Sequence, residues 1–143
     1  MNRPLRVLVL CTGNSCRSQM AEGWLRHLGC DRLEVQSAGI EAHGLHPYAV
    51  RVMAEAGVDI SRQRSKVCRP EMFRWADCVI TVCGHADEHC PVLPEGVRKL
   101  HWPFEDPARA VGTEDEVLAV FRRVRDAIRA QAEAFVQSLP TGT

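Results

Sequence analysis

The sequence predicts an open α/β sheet of parallel strands with helices on both faces. Two observations carry this. Short apolar, β-branched-rich runs alternate with longer segments whose apolar residues recur at helical spacing, and such alternation implies parallel crossovers. Two of the runs also end in a cysteine, Cys11 and Cys83, at the kind of edge where open α/β sheets bind ligands. The 143 residues, 45% hydrophobic and 25% charged, fit a single domain over 1–143, with no linker or repeat to divide it.

Leu5 to Leu10 reads as a buried strand that Thr12, Gly13, Asn14 and Ser15 break into a loop. Met20, Ala21, Trp24, Leu25 and Leu28 then mark a helix, with Gly29 placed as its C-terminal cap. Leu33 to Ser37 forms a second strand. Pro47 to Ala56 carries another helical stripe, Pro47 suiting the first turn and Gly57 the stop. Asp77 to Val82 is a third strand, and Val97 to Trp102 a shorter fourth closed by Pro103. Thr113 and Glu116 form a capping box ahead of a long helix whose apolar face is Val117, Phe121, Val124, Ile128 and Phe135. Residues 138–143 are expected to fray.

The 18 basic and 18 acidic side chains cancel, so there is no overall field to hold a nucleic-acid backbone and no clustered basic block. Val7 to Leu10 is far too short for a membrane span or a secretory core segment, and a cytoplasmic, monomeric protein is expected. Seven cysteines are an odd count for a disulfide framework, and no C-x2-C pair exists. They call for burial, metal or redox chemistry.

Cys11-Thr-Gly-Asn-Ser-Cys-Arg17 is a C-x5-R loop between a strand and a helix. Small residues let successive N–H groups turn inward on a tetrahedral oxyanion, and the helix N-terminus adds partial positive charge. Thr12, Gly13, Asn14, Ser15, Cys16, Arg17 and Ser18 are therefore the candidate binding residues, with Arg17 able to grip two oxygens. The same field is expected to lower the Cys11 thiol pKa and make it a nucleophile, with Ser18 donating to its sulfur. The spacing alone proves little, because seven Cys and 16 Arg predict on the order of one accidental match. Cys68 and Arg74 are such a match, enclosing bulky Arg-Pro-Glu-Met-Phe without a convincing strand before it.

CTGNSCRS at Cys11 to Ser18, followed by QMAEG, closely resembles the low-molecular-weight tyrosine phosphatase superfamily and, within it, the thioredoxin-coupled arsenate reductases. The resemblance runs from Val7 to about Phe135 and implies a four-stranded parallel sheet with the anion loop at its edge. It assigns Cys83 and Cys90 to a redox pair: Cys11 attacks arsenate, Cys83 attacks Cys11, and Cys90 then moves the disulfide outward for thioredoxin. It implies no bound cofactor, and phosphate or sulfate as competing oxyanions. It places a general acid at Asp106 in Trp102-Pro-Phe-Glu-Asp-Pro, with Glu105 the runner-up and a plain Asp-Pro turn the alternative. Some relatives bind potassium beside the loop; Asn14 and Ser37 match that site, but Lys66 stands at the acidic position, so an ammonium replacing the ion and little potassium dependence are expected.

Other readings stay open at this point. A phosphatase would hydrolyse its cysteinyl intermediate and need neither Cys83 nor Cys90. Cys83, His85, His89 and Cys90, with Cys78 nearby, could supply soft metal ligands or serve a redox sensor, but the spacing fits no recurrent zinc pattern and no metal is expected. Cys30, Cys68 and Cys78 read as structural or incidental, and Cys16 as a residue that could trap Cys11 unproductively. Were 83–90 one helix, its end Cα atoms would lie roughly 10 Å apart, whereas a disulfide tolerates about 4.4–6.8 Å. Forming that bond therefore requires this stretch to unwind, which Gly84 eases.

Overall fold

In the computed structural model, which describes residues 3–139, four parallel strands lie in the order β2-β1-β3-β4. They are β1 (Leu5–Cys11), β2 (Leu33–Gly39), β3 (Cys78–Thr81) and β4 (Arg98–His101). Val7, Leu8 and Val9 of β1 are fully buried, as are Val79 and Ile80 of β3, so these continuous apolar runs form the sheet centre. The more polar β4 lies at the edge. The helices are α1 (Arg17–Gly29), α2 (Pro47–Glu55), α3 (Pro70–Trp75), α4 (Gly84–Glu88) and α5 (Glu114–Gln137).

α1, on the step from β1 to β2, packs with α2 and α5, while α3 and α4, on the steps into β3 and β4, contact β1 and β3 and fall on the opposite face by right-handed crossover. The chain's winding thus reverses between β1 and β3. A crevice opens at their carboxyl ends, and Cys11 and Cys83 both emerge there.

α5 packs on α1 and α2. Its N-terminus is the predicted capping box: the Glu116 N–H donates to Thr113 Oγ1 at 3.2 Å, and the Thr113 N–H donates to Glu116 Oε1 at 3.4 Å. The buried stripe is Leu118, Phe121, Val124, Ile128, Ala132, Phe135 and Val136. Val117, expected in it, is only half-buried, because the core takes the residue one step on.

Several further local expectations change. Gly29 does not cap α1: it keeps helical dihedrals, and the left-handed residue is Cys30, with φ of 47°. Gly57, at φ of +85°, does supply the stop for α2. The second C-x5-R match falls largely on α3, so Cys68 and Arg74 frame no loop. Ser138 and Leu139 still donate backbone hydrogen bonds to the preceding turn, and the rest of the expected frayed end, 140–143, lies outside the described residues.

Phe121 is fully buried, with His46 and Tyr48 ring centroids 4.8 and 5.6 Å away. Phe121→Ala should cost about 3–5 kcal/mol in denaturant unfolding, through lost burial and the cavity left behind; a loss under about 1 kcal/mol would mean that the layers close over the gap.

Candidate active site

Thr12 to Cys16 runs from the end of β1 to the start of α1, as the C-x5-R loop predicts. Its turn depends on Asn14, which has φ of 48° and no exposed surface. Asparagine tolerates this left-handed conformation better than most residues, and it is held there on every side. Asn14 Nδ2 donates to Ser18 Oγ and Ser37 Oγ at 2.8 and 2.9 Å, its Oδ1 accepts from the Lys66 N–H at 2.9 Å, and its carbonyl accepts from Gln19 Nε2 at 3.0 Å. Among the described residues, none of the N–H groups from Gly13 to Arg17 donates to an acceptor within the chain. They are free for an anion seated at the N-terminus of α1.

The loop also needs its glycines. A Cβ on Gly13 would lie 2.3 Å from the His43 imidazole, and one on Gly39 the same distance from the Glu41 carbonyl oxygen. The first glycine was legible as a loop former; the second, at the end of β2, was not.

Cys11, Thr12, Arg17, Cys83 and Asp106 line one cleft of about 580 Å³, and Gly13, Ser15 and Cys16 complete its floor. Asn14 and Ser18 lie buried beneath. Ser18 is engaged by Asn14 and has no hydrogen bond to Cys11 among the described residues, so its expected role on that sulfur is replaced by one in shaping the loop. Arg17 Nη1 donates to the Phe104 carbonyl at 3.1 Å, and Nη2 lies 3.6 Å from Asp106 Oδ2. Asp106 Oδ1 accepts from the Ala108 N–H at 3.0 Å, capping a 3₁₀ turn over Pro107–Arg109. Glu105 points away to Arg123 at 2.8 Å, which leaves Asp106 as the carboxyl in the cleft.

The thiols depart from expectation. Cys11 and Cys83 are both free, line the same cleft, and lie close enough for each to shift the other's ionisation. The neighbouring sulfur and burial hold the Cys11 thiol above its ordinary range despite Arg17, while Cys83 is pulled down to about 5. Two close sulfurs titrate as a pair; the first proton leaves easily and the second reluctantly. The charge rests on Cys83 because it also receives Thr12 Oγ1 at 3.2 Å and the Ala86 N–H at 3.3 Å, at the start of α4. Against the expectation of a thiolate at Cys11, ionisation is disfavoured at that sulfur and favoured at Cys83. Burial pushes Cys16 up to about 12 and Cys78 up to about 11.

Cys90 lies outside the cleft, half-buried beyond the far end of α4. The helix spans 84–88 rather than 83–90, with Cys83 as N-cap and His89 as C-cap. It is tied down through Asp87, which meets Lys99 Nζ at 2.9 Å and accepts from buried Thr81 Oγ1 at 3.0 Å. Lys99 and Thr81 hold the Asp87 pKa below its ordinary value. No three His, Cys, Asp or Glu side chains form a metal-holding group among the described residues.

Beside the loop, Ser37 Oγ donates to buried Glu22 Oε1 at 2.6 Å, and Glu22 Oε2 meets Arg26 Nη2 at 2.8 Å. The cation paired with this cluster is thus Arg26. Lys66 contributes its backbone N–H, not the ammonium expected from its position. Glu22, His43 and Arg109 carry no local pattern in the sequence and are joined to the site only by the fold, while His85, read from sequence only as a possible metal ligand, lines the cleft.

A cysteine at the floor of a strand–loop–helix anion cradle, faced by an arginine and a carboxyl group, defines a thiol-dependent oxyanion enzyme. Residues 6–142 match the family model for low molecular weight phosphotyrosine protein phosphatase, and the chain belongs to that family. It is 55% identical over 133 residues to an arsenate reductase of Bacillus licheniformis, covering 92% of this chain and 95% of that one. A second arsenate reductase, from Bacillus subtilis, is 52% identical with the same coverage. Among solved structures, an arsenate reductase in the phosphate binding state superposes with TM-score 0.79 at 34% identity, over 95% of this chain and 99% of that one. A thioredoxin-dependent arsenate reductase of Corynebacterium glutamicum gives TM-score 0.73 at 28% identity, over 96% of this chain and 65% of that one.

The ultraviolet absorbance of thiolate, titrated against pH in reduced protein, should show a thiol ionising at about 5. In Cys11→Ala that step should move up by about one pH unit or more, since the neighbouring thiol that favours the Cys83 thiolate is gone. An unmoved midpoint would mean that Thr12 and the Ala86 N–H hold the Cys83 thiolate alone.

Proposed function

We infer that the protein reduces arsenate to arsenite through a relay of Cys11, Cys83 and Cys90, with thioredoxin as the reductant that resets it. The observation that carries this is the second thiol: a hydrolytic phosphatase has no use for a sulfur beside its nucleophile. Here Cys83 stands against Cys11 inside the anion cleft.

Arsenate takes the free loop amides and Arg17, which match a tetrahedral oxyanion in charge and shape. As the Cys11 sulfur attacks arsenic, its proton passes to the neighbouring Cys83 sulfur, and Asp106 protonates the departing oxygen, which leaves as water. Cys83 then gives up that proton and attacks Cys11 Sγ. The sulfur–arsenic bond breaks with its electron pair left on arsenic, so arsenic is reduced by two electrons, arsenite leaves, and a Cys11–Cys83 disulfide remains. Cys90 attacks Cys83 next, expelling Cys11 as a thiolate and moving the disulfide to the far end of α4. A thioredoxin dithiol reduces it, and phosphate or sulfate competes only for the first step.

The last transfer needs α4 to open, because the helix separates its flanking cysteines. Space around Gly84 is open, so packing does not require a glycine there; what the residue contributes, at the first position of α4, is a helix less stable than with alanine by up to about 1 kcal/mol.

Arsenate-dependent NADPH oxidation with thioredoxin and thioredoxin reductase should be abolished by each of Cys11→Ser, Cys83→Ser and Cys90→Ser. Asp106→Asn should lower kcat by about 10²–10⁴-fold. Phosphate-ester hydrolysis that needs Cys11 but ignores Cys83 and Cys90, with no arsenate turnover, would make the protein a phosphatase.

A further inference from the structure

The relay leaves one pair of side chains unused in the segment that must move. His85, in α4, and His89, the residue that caps it, lie one helical turn apart, both exposed, with ring centroids 4.2 Å apart and planes inclined at 44°. His89 Nδ1 lies 2.8 Å from the His85 carbonyl oxygen. Only an N–H can donate to that oxygen, so this contact fixes the tautomer and leaves the Nε2 lone pair of His89 open. A backbone carbonyl orients metal-bound imidazoles in the same way. The His85 ring has no hydrogen-bond partner among the described residues. Two metal–nitrogen bonds of about 2.1 Å at a cis angle of about 90° would put the ring centroids about 4.5 Å apart, close to the spacing already present. No third His, Cys, Asp or Glu completes the set among the described residues, so water fills the other positions and binding is weak and reversible.

We propose that His85 and His89 form a two-imidazole site for a divalent first-row transition-metal ion, and that filling it clamps α4 and stalls the relay before Cys90 attacks. The site spans residues i and i+4, so it exists only while that turn is helical. A ligand that binds the helical form alone lowers the open population, by about tenfold at ten times its dissociation constant. The affected step is the exchange in which the Cys90 sulfur displaces Cys11 from Cys83. The ion takes no part in electron transfer and acts as a brake on a thiol exchange that is otherwise complete in itself. The binding half of this proposal stands on the histidine geometry; the braking half rests on the relay.

Two measurements separate these halves. Ni2+ titrated into the full chain carrying Cys83→Ser and Cys90→Ser, followed by calorimetry and imidazole resonances, should bind in one equivalent. Adding His89→Gln should weaken it by about tenfold or more. Affinity unchanged by His89→Gln overturns the site. Reduced wild-type protein is then given one equivalent of arsenate without thioredoxin, and its disulfides are mapped over time. Ni2+ at ten times its dissociation constant should slow the Cys83–Cys90 disulfide about tenfold while Cys11–Cys83 accumulates, and a chelator should restore the rate. His89→Gln protein should run at the uninhibited rate with or without Ni2+. Bound Ni2+ that leaves the wild-type rate unchanged overturns the brake. Absence of any Cys83–Cys90 disulfide in metal-free protein would sink the relay instead, and the titration alone would then decide the histidine site.

Discussion

One backbone hydrogen bond, from the Val82 N–H to the Leu10 carbonyl at 2.9 Å, carries the β1–β3 pairing a step past the end of β3. The site depends on it. Parallel pairing in this register makes Cys11 and Cys83 leave adjacent strands at the same edge, where the winding of the fold reverses. A shift of one residue would turn one of the two side chains away. Everything particular to these sulfurs, from their coupled ionisation to the preference for charge on Cys83, follows from that juxtaposition.

The anion cradle imposes a second constraint. An asparagine in the left-handed region, buried beside Ser18, Ser37 and Glu22, is tolerable only because its polar atoms are paired. The network spends its hydrogen bonds on holding a shape, and so leaves the loop amides free for a ligand. Its negative end, Glu22, is balanced by Arg26 from within the same helix. On the other side of the cleft the bonds are fewer: α4 is held chiefly by Asp87, between Lys99 and Thr81. The rigid wall binds the oxyanion and the lightly held one can rearrange, as a relay with a moving disulfide demands.

Much of this was legible along the chain. All four strands could be placed, the apolar runs of β1 and β3 most plainly, Thr113 and Glu116 announced the start of α5, and the small residues between Cys11 and Arg17 distinguished the true loop from its match at Cys68. The short helices α3 and α4, of six and five residues, were not, because so few residues carry no periodicity. The Cys11 pKa was misjudged for a related reason. The loop and helix around it were visible, but the sulfur that outweighs them arrives from the end of another strand, and burial cannot be read from spacing. The same applies to Ser18, whose partner is set by the left-handed turn at Asn14, and to Lys66, whose main chain rather than ammonium meets the site.

The central claim is that two sulfurs from adjacent strands pass a pair of electrons to one bound oxyanion. It is tested most directly by giving reduced Cys90→Ser protein one equivalent of arsenate without thioredoxin, quenching in acid, and mapping disulfides while arsenite is measured. The account predicts a Cys11–Cys83 disulfide and arsenite in equal amounts. Arsenite-free protein with both thiols intact, or a disulfide joining Cys11 to Cys16 instead, would contradict it.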